Sequence, residues 1–196
     1  MTTEELTATS AAASSKAKVA IDALLIALFV VIITVCAWIK IPGPVPVTLQ
    51  TMAVFMAVSI LGTKRGTAAV GSYIVLGLLG LPVFAGFAGG FAYLFGLTGG
   101  YIIGFLPTAF LTGWLIDRFG KTVPVMIGAM FAGLLVCYAF GTIWFIAVSG
   151  SAFDAASLQY VLSLCVYPFI IPDAIKIAAA VSATKLVGFV GKARTK

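Results

Sequence analysis

The chain has 196 residues, 62% of them hydrophobic and only 9% charged, with a formal net charge of +6 and a mean hydropathy of +1.18. An ordinary soluble domain is about 25% charged, so a water-soluble globule could not hide this much apolar surface and a lipid bilayer is the expected solvent. The chain contains no His, the usual general base and commonest metal ligand, and no GxxxxGK[ST] phosphate loop; an enzyme is not expected, nor a resident metal or cofactor.

Residues 1–18 (MTTEELTATSAAASSKAK) are small, polar and low in complexity, and are expected to form a disordered cytoplasmic tail. The first span-length apolar run is 19–39, and no small-x-small site closes it as a cleaved signal peptide would require. Further runs at 48–61, 67–81, 99–116 and 122–148 are separated by charge, Pro or Gly. The runs at 48–61 and 67–81 are short, so they are tilted partners or incomplete crossings. The last region, 158–190, carries Pro168 and Pro172. Proline is tolerated in the first turn of a helix and breaks its interior, so this region should hold an outer-leaflet segment, a break, and a main helix beginning near Pro172. The expected architecture is an all-α membrane protein with six transmembrane helices over residues 19–190, followed by a basic cytoplasmic tail at 191–196.

Orientation follows from Lys and Arg in short loops. Six spans put Lys16, Lys18, Lys64, Arg65, Arg118, Lys121, Lys192, Arg194 and Lys196 on one side and Lys40 on the other. Both termini are therefore expected to be cytoplasmic, in a multi-pass protein of the cell membrane. The same asymmetry accounts for the positive net charge without a nucleic-acid partner. Cys36, Cys137 and Cys165 are scattered through apolar runs and read as buried small hydrophobes with no disulfide frame.

Asp173 and Lys176 stand three apart inside the last apolar stretch, a spacing that shares one helix face. An ionisable group at a bilayer centre is unfavourable by roughly 2.5–3.5 kcal/mol, which makes the pair a candidate site. The other reading is a carboxylate at a helix N-terminus with Lys176 as its intrahelical partner. The loop 40–47 (KIPGPVPV) should be stiff and extended, because each Pro restricts itself and the residue before it. Thr48 and Gln50 follow it and either contact a ligand or cap the second helix. The uncharged loop 82–98 (PVFAGFAGGFAYLFGLT) is too rich in backbone polar groups to lie exposed in lipid, so it should cover or line a cavity. Phe84, Gly90 and Tyr93 on that loop are the ligand candidates, with Tyr160 and Trp38 as weaker ones; the other reading is an aromatic interfacial anchor. Ala23 and Ala27 form a small-xxx-small pair that lets another helix approach closely.

Four segments, PVTLQT (46–51), GLPVFAG (80–86), GLTGGY (96–101) and PDxxK (172–176), occur in order, and together they resemble the BioY family over residues 19–190. Members of that family are the biotin-specific substrate-binding (S) components of energy-coupling factor (ECF) transporters. The resemblance implies a six-helix protein of a prokaryotic cell membrane that captures biotin from outside. It would hand biotin over with a transmembrane coupling (T) protein and two ATPases, a division of labour that fits the missing phosphate loop. Biotin would then be a transported ligand rather than a cofactor, held in an apolar box with a few placed polar groups. Asp173 could accept from its ureido N–H groups and Lys176 could donate to an oxygen, with the valerate nearer the loops. The Ala23/Ala27 pair resembles the AxxxA motif with which S components dock on the coupling protein. Two departures stand out: Leu97 where the family commonly has Pro, and Ile171-Pro172 where it commonly has Pro-Gly before the Asp, which leaves the start of the last helix open. The rival function is a self-sufficient secondary transporter of a small vitamin-like substrate, which would usually show two related halves or coupling-ion carboxylates in broken helices; neither is evident.

Overall fold

A computed structural model describes residues 3–42 and 45–193, with side chains described for 16–42 and 45–189. Helix α1 runs Thr3–Trp38. The segment expected to be a disordered tail is therefore helical from Thr3 onward: Glu4, Glu5, Leu6 and the Ala run at 11–13 are good helix formers, and the apolar run behind them supplies a nucleus from which the helix propagates. Beyond α1, β1 (Lys40–Ile41) pairs antiparallel with β2 (Val47–Thr48), placing Lys40 opposite Thr48 and Ile41 opposite Val47. Pro42 and Pro46 flank these strands and carry no N–H to extend the ladder. Gly43 and Pro44 of the expected stiff loop lie outside the described residues.

Helices α2 (Gln50–Leu61, 12 residues) and α3 (Thr63–Leu78, 16 residues) are joined through Gly62, whose φ of +82° reverses the chain. A Cβ on Gly66 would overlap the Val58 backbone, so this glycine allows the two helices to touch. The short α4 (Phe91–Leu94) interrupts the Gly/Phe loop, and the long α5 (Gly99–Phe119) and α6 (Val123–Ser149) follow. After α7 (Ala155–Cys165), a 3-10 turn at Tyr167–Phe169 leads into α8 (Ile170–Ala193). The expected break near Pro168 is thus present, and Pro172 sits in the first turn of α8, where its missing N–H leaves no hydrogen bond unmade.

Among the described residues, four helical stretches are long and apolar enough to cross a membrane: Lys16–Trp38, Gly99–Phe119, Val123–Ser149 and the combined Ala155–Phe189. At 1.5 Å per residue α2 spans about 18 Å and α3 about 24 Å, less than the hydrocarbon thickness of roughly 30 Å.

Burial is arranged for lipid. Leu24, Leu28, Val31, Phe110, Phe131 and Ile175 are exposed, while Ile33, Phe55, Val58, Tyr73, Phe84 and Met130 are inside. Without a hydrophobic drive between helices in lipid, close packing and hydrogen bonds must join them. At the α5·α6 seam, a Cβ on Gly100 would overlap Trp144, one on Gly141 would overlap Tyr101, and one on Gly133 would overlap Thr112. Thr108 and Thr112 cross the same seam, donating to the carbonyls of Gly133 (3.0 Å) and Ala129 (3.3 Å).

The helix ends gather at two poles. At one, Arg65 pairs with Asp22 at 3.0 Å, the Thr63 amide and hydroxyl donate to Asp117 at 3.0 and 2.6 Å, and the Lys185 ammonium donates to the Lys121 carbonyl at 2.7 Å. The hairpin, the loop between α3 and α5, and the 3-10 turn gather at the other, where the cavity opens. Asp154 caps α7 by accepting from the Ser157 N–H at 2.8 Å, and that bond holds its carboxyl below the ordinary carboxylate value.

Candidate functional site

Asp173 enters from the first turn of α8, where the helix dipole favours a carboxylate, and Lys176 follows one turn later on the same face. Both are almost fully buried, at 2% and 4% exposure. The Lys176 Nζ donates to Asp173 Oδ1 at 2.8 Å. Thr51, at the start of α2, lies between them: its hydroxyl donates to Asp173 Oδ1 at 3.2 Å and accepts from Lys176 Nζ at 3.3 Å. Tyr138 of α6 donates to Asp173 Oδ2 at 2.5 Å. Three helices thus meet at one ion pair.

Beside it lies a half-open cavity between α2, α5, α6 and α8. Its apolar wall includes Val45, Ile102, Phe105, Cys137, Cys165 and Phe169, and its polar side chains include Thr48, Gln50, Thr51, Tyr138, Asp173 and Lys176, with Tyr93, Thr98 and Tyr101 nearer the mouth and α5. Cys137 donates to the Tyr101 carbonyl at 3.6 Å, and the Tyr101 and Thr142 hydroxyls lie 3.2 Å apart.

Of the residues singled out from sequence, the structure brings Asp173, Lys176, Gln50, Thr48 and Tyr93 to this cavity. Thr48 lines the wall and its Oγ1 accepts weakly from the Gln50 N–H at 3.4 Å, while the N-cap position of α2 itself falls to Leu49, without a side-chain cap. Gln50 does not cap α2. Its Nε2 donates to the Tyr73 hydroxyl at 2.7 Å, and Tyr73 donates onward to the Val83 carbonyl at 3.1 Å.

Three expected site residues do not reach the cavity. Phe84 is fully buried behind it, edge-on to Tyr73 and stacked on Tyr93; its ring fills the space left by the missing side chain of Gly77, so it packs the loop instead of facing a ligand. Gly90 opens α4 with φ +93° and donates to the Gly77 carbonyl at 2.7 Å, so it serves as a turn residue. Tyr160 is 61% exposed on α7, because its side chain points away from the α6-facing Val161 and Cys165. Trp38 also stays outside, where its indole N–H donates to the Pro82 carbonyl at 3.0 Å and its ring lies 4.6 Å from that of Phe87. Ala23 and Ala27 are exposed on α1, away from the cavity.

Sequence reasoning missed Thr51, Tyr101, Tyr138, Phe105 and Phe169. A tyrosine in mid-span was the available signal for Tyr138, since a buried phenol needs a partner; Tyr101 closes the GLTGGY segment in the first turn of α5.

A model of the BioY family matches residues 6–191. The chain belongs to the BioY family. Among its relatives, the biotin transporter BioY of Thermotoga maritima is 41% identical over 154 residues, covering 78% of this chain and 87% of that protein. A probable biotin transporter BioY of Pyrococcus horikoshii is 45% identical over 158 residues, covering 80% and 90%. The crystal structure of an S-component for biotin from an ECF-type ABC transporter superposes with a TM-score of 0.76 at 30% identity, covering 89% of this chain and 92% of that one. This BioY-family chain carries the PDxxK segment and the PVTLQT segment at two sides of one cavity, joined through Thr51.

The pair's energetics are testable apart from any ligand. Asp173→Asn or Lys176→Met leaves the other charge buried alone, which should lower unfolding free energy by about 3–5 kcal/mol. The double variant should lose far less than the two losses added. Denaturant unfolding in detergent micelles measures this, and additive losses would contradict a coupled pair.

Proposed function

We propose that this chain is the biotin-binding S component of an ECF-type importer, capturing biotin from outside and delivering it with a transmembrane coupling protein and two ATPases. The observation that carries the reading is the cavity's unspent hydrogen-bonding capacity, in a chain similar over nearly its whole length to an S-component for biotin. Lys176 has three N–H donors and uses two; Asp173 has room for about four hydrogen bonds and accepts three. The Gln50 oxygen has no donor among the described residues. At the Asp173–Lys176 pair and the Gln50 oxygen, one N–H donor and two acceptor positions therefore remain, the complement of a ureido group with its one C=O and two N–H; the second Gln50 N–H and the Thr48 hydroxyl proton are further donors at the wall. A valerate carboxylate in that place would offer acceptors only and would add a second negative charge beside Asp173. The ureido end therefore goes to the Gln50, Asp173 and Lys176 pole, and the bicycle lies along Phe105, Ile102 and Phe169. The valerate points toward the loops near Thr98.

The same reading places both termini and the pole of Arg65, Lys121 and Lys185 in the cytoplasm of a prokaryotic cell, with α2 and α3 as short spans that complete six. The cavity then opens outward. Ala23 and Ala27, exposed on α1 and remote from the cavity, form the docking face for the coupling protein. A self-sufficient secondary transporter is not favoured, since Asp173 is held by Lys176, Thr51 and Tyr138 rather than left to a coupling ion.

Purified wild-type chain should bind radiolabelled biotin, and Asp173→Asn and Lys176→Ala should each weaken binding by about 2–5 kcal/mol while the protein still inserts. Unchanged affinity in both variants would sink the assignment. Ala23→Trp or Ala27→Trp should keep biotin binding but fail to co-purify with the coupling protein, because a bulky side chain holds the helices apart; normal assembly would exclude this face. In a background without native cysteines, thiol reagents applied outside should label single cysteines at 82–98 and 150–157 but not near Lys121, and labelling near Lys121 would overturn the orientation.

A further inference from the structure

Tyr73 does not touch the cavity, yet it sits at a position that decides what the cavity presents. Its side chain on α3 is fully buried, and its hydroxyl lies between the Gln50 amide at 2.7 Å and the Val83 carbonyl at 3.1 Å. A phenol has one proton to give. The Val83 carbonyl can only accept, so the Tyr73 proton goes there, and the Tyr73 oxygen must in turn accept from Gln50. If the Gln50 amide were turned over, its oxygen would face the lone pairs of an oxygen whose proton is already committed. A buried contact of that kind is strongly unfavourable.

We infer that Tyr73 is a positioning residue that locks the Gln50 amide with its NH2 toward the protein and its carbonyl oxygen toward the cavity, so that the site demands a hydrogen-bond donor from its ligand at that point. Several features hold the relay in place. Val83 belongs to the loop between α3 and α5; its own N–H donates to the Leu81 carbonyl at 2.8 Å, and the next residue bonds Ala88 at 2.9 Å. Phe84 packs edge-on against the Tyr73 ring and fills the space beside Gly77. The Tyr73 ring is therefore fixed from two sides, and the loop that roofs the cavity also sets the polarity of Gln50. No described donor competes for the Gln50 oxygen, and Gln50 is part of the cavity wall.

The inference rests on the biotin reading, and it specifies that reading further: one ureido N–H meets Gln50 and the other meets the Asp173 side of the pole. Two cyclic carbamate analogues of biotin, each with one ureido N–H replaced by a ring oxygen of nearly the same size, probe the two positions separately. Wild-type chain should bind both analogues at least about tenfold more weakly than biotin, since an acceptor then faces an acceptor. In Tyr73→Phe the amide is free to turn over and offer N–H to the ring oxygen. The discrimination against one carbamate should collapse to within about threefold of biotin, while discrimination against the other should stay as in wild type. A general loosening of the cavity would move both ratios together, and that outcome would overturn the inference. So would two unmoved ratios in a Tyr73→Phe variant that binds biotin.

Gln50→Glu gives a second route that keeps the buried ring, with a carboxyl proton or the redirected Tyr73 proton bridging the two oxygens. It keeps an oxygen on the cavity side, so the same carbamate should remain the disfavoured one. If instead the native amide presents its NH2 to the cavity, Gln50→Glu would reverse the preference, which would contradict the locked orientation. Absence of biotin binding by the wild-type chain would defeat the functional reading itself. Biotin binding with ratios that ignore Tyr73 would defeat only this step.

Discussion

A pair of opposite charges buried in an apolar medium constrains much of this molecule. Each ion removed from water is expensive, and mutual attraction offsets that only when the remaining lone pairs and N–H groups are also bonded. Asp173 and Lys176 meet the condition by drawing in Thr51 from α2 and Tyr138 from α6. The tertiary arrangement around α8 follows from that need. The start of α2, the middle of α6 and the first turns of α8 must converge on a few ångströms of space.

Convergence of polar atoms would leave no room for a ligand if the surrounding helices were not held apart at the cavity and close elsewhere. The α5·α6 seam closes through glycines at 100, 133 and 141, whose missing side chains admit Trp144, Thr112 and Tyr101. One turn away along that seam, Tyr138 and Cys137 reach the cavity wall. On the loop side, Phe84 anchors a segment of irregular backbone by filling the notch at Gly77, and the Gly77 carbonyl accepts from both Gly80 and Gly90. A backbone so rich in glycine is thereby satisfied inside the protein, as its position at the membrane requires. Tyr93 and Ala85 are delivered to the cavity as a result.

Polarity is segregated along the long axis. The Arg65–Asp22 ion pair and the Thr63–Asp117 and Lys185–Lys121 bonds occupy one pole, and the cavity with the Asp173–Lys176 network lies toward the other. The face of α1 that carries Ala23 and Ala27 belongs to neither network.

Local and periodic features were legible in the sequence. Apolar run length located the long helices, and the geometry of proline located the break before α8. The i, i+3 rule put Asp173 and Lys176 on one face, and four short segments indicated the family. Helical continuation through residues 3–18 was not legible, because composition reports a segment's own burial potential and not the helix it extends. Among the aromatics, sequence could not separate Phe84, which is packing, from Tyr93, which lines the cavity, since both lie on one loop at an apparent interface. Thr51 and Tyr138 as partners of Asp173, and Tyr73 as partner of Gln50, were decided by tertiary structure alone. Those bonds join residues 122, 35 and 23 positions apart. Spacing along a chain determines which side chains share a face of one helix, but only the packing of one helix against another determines which faces meet.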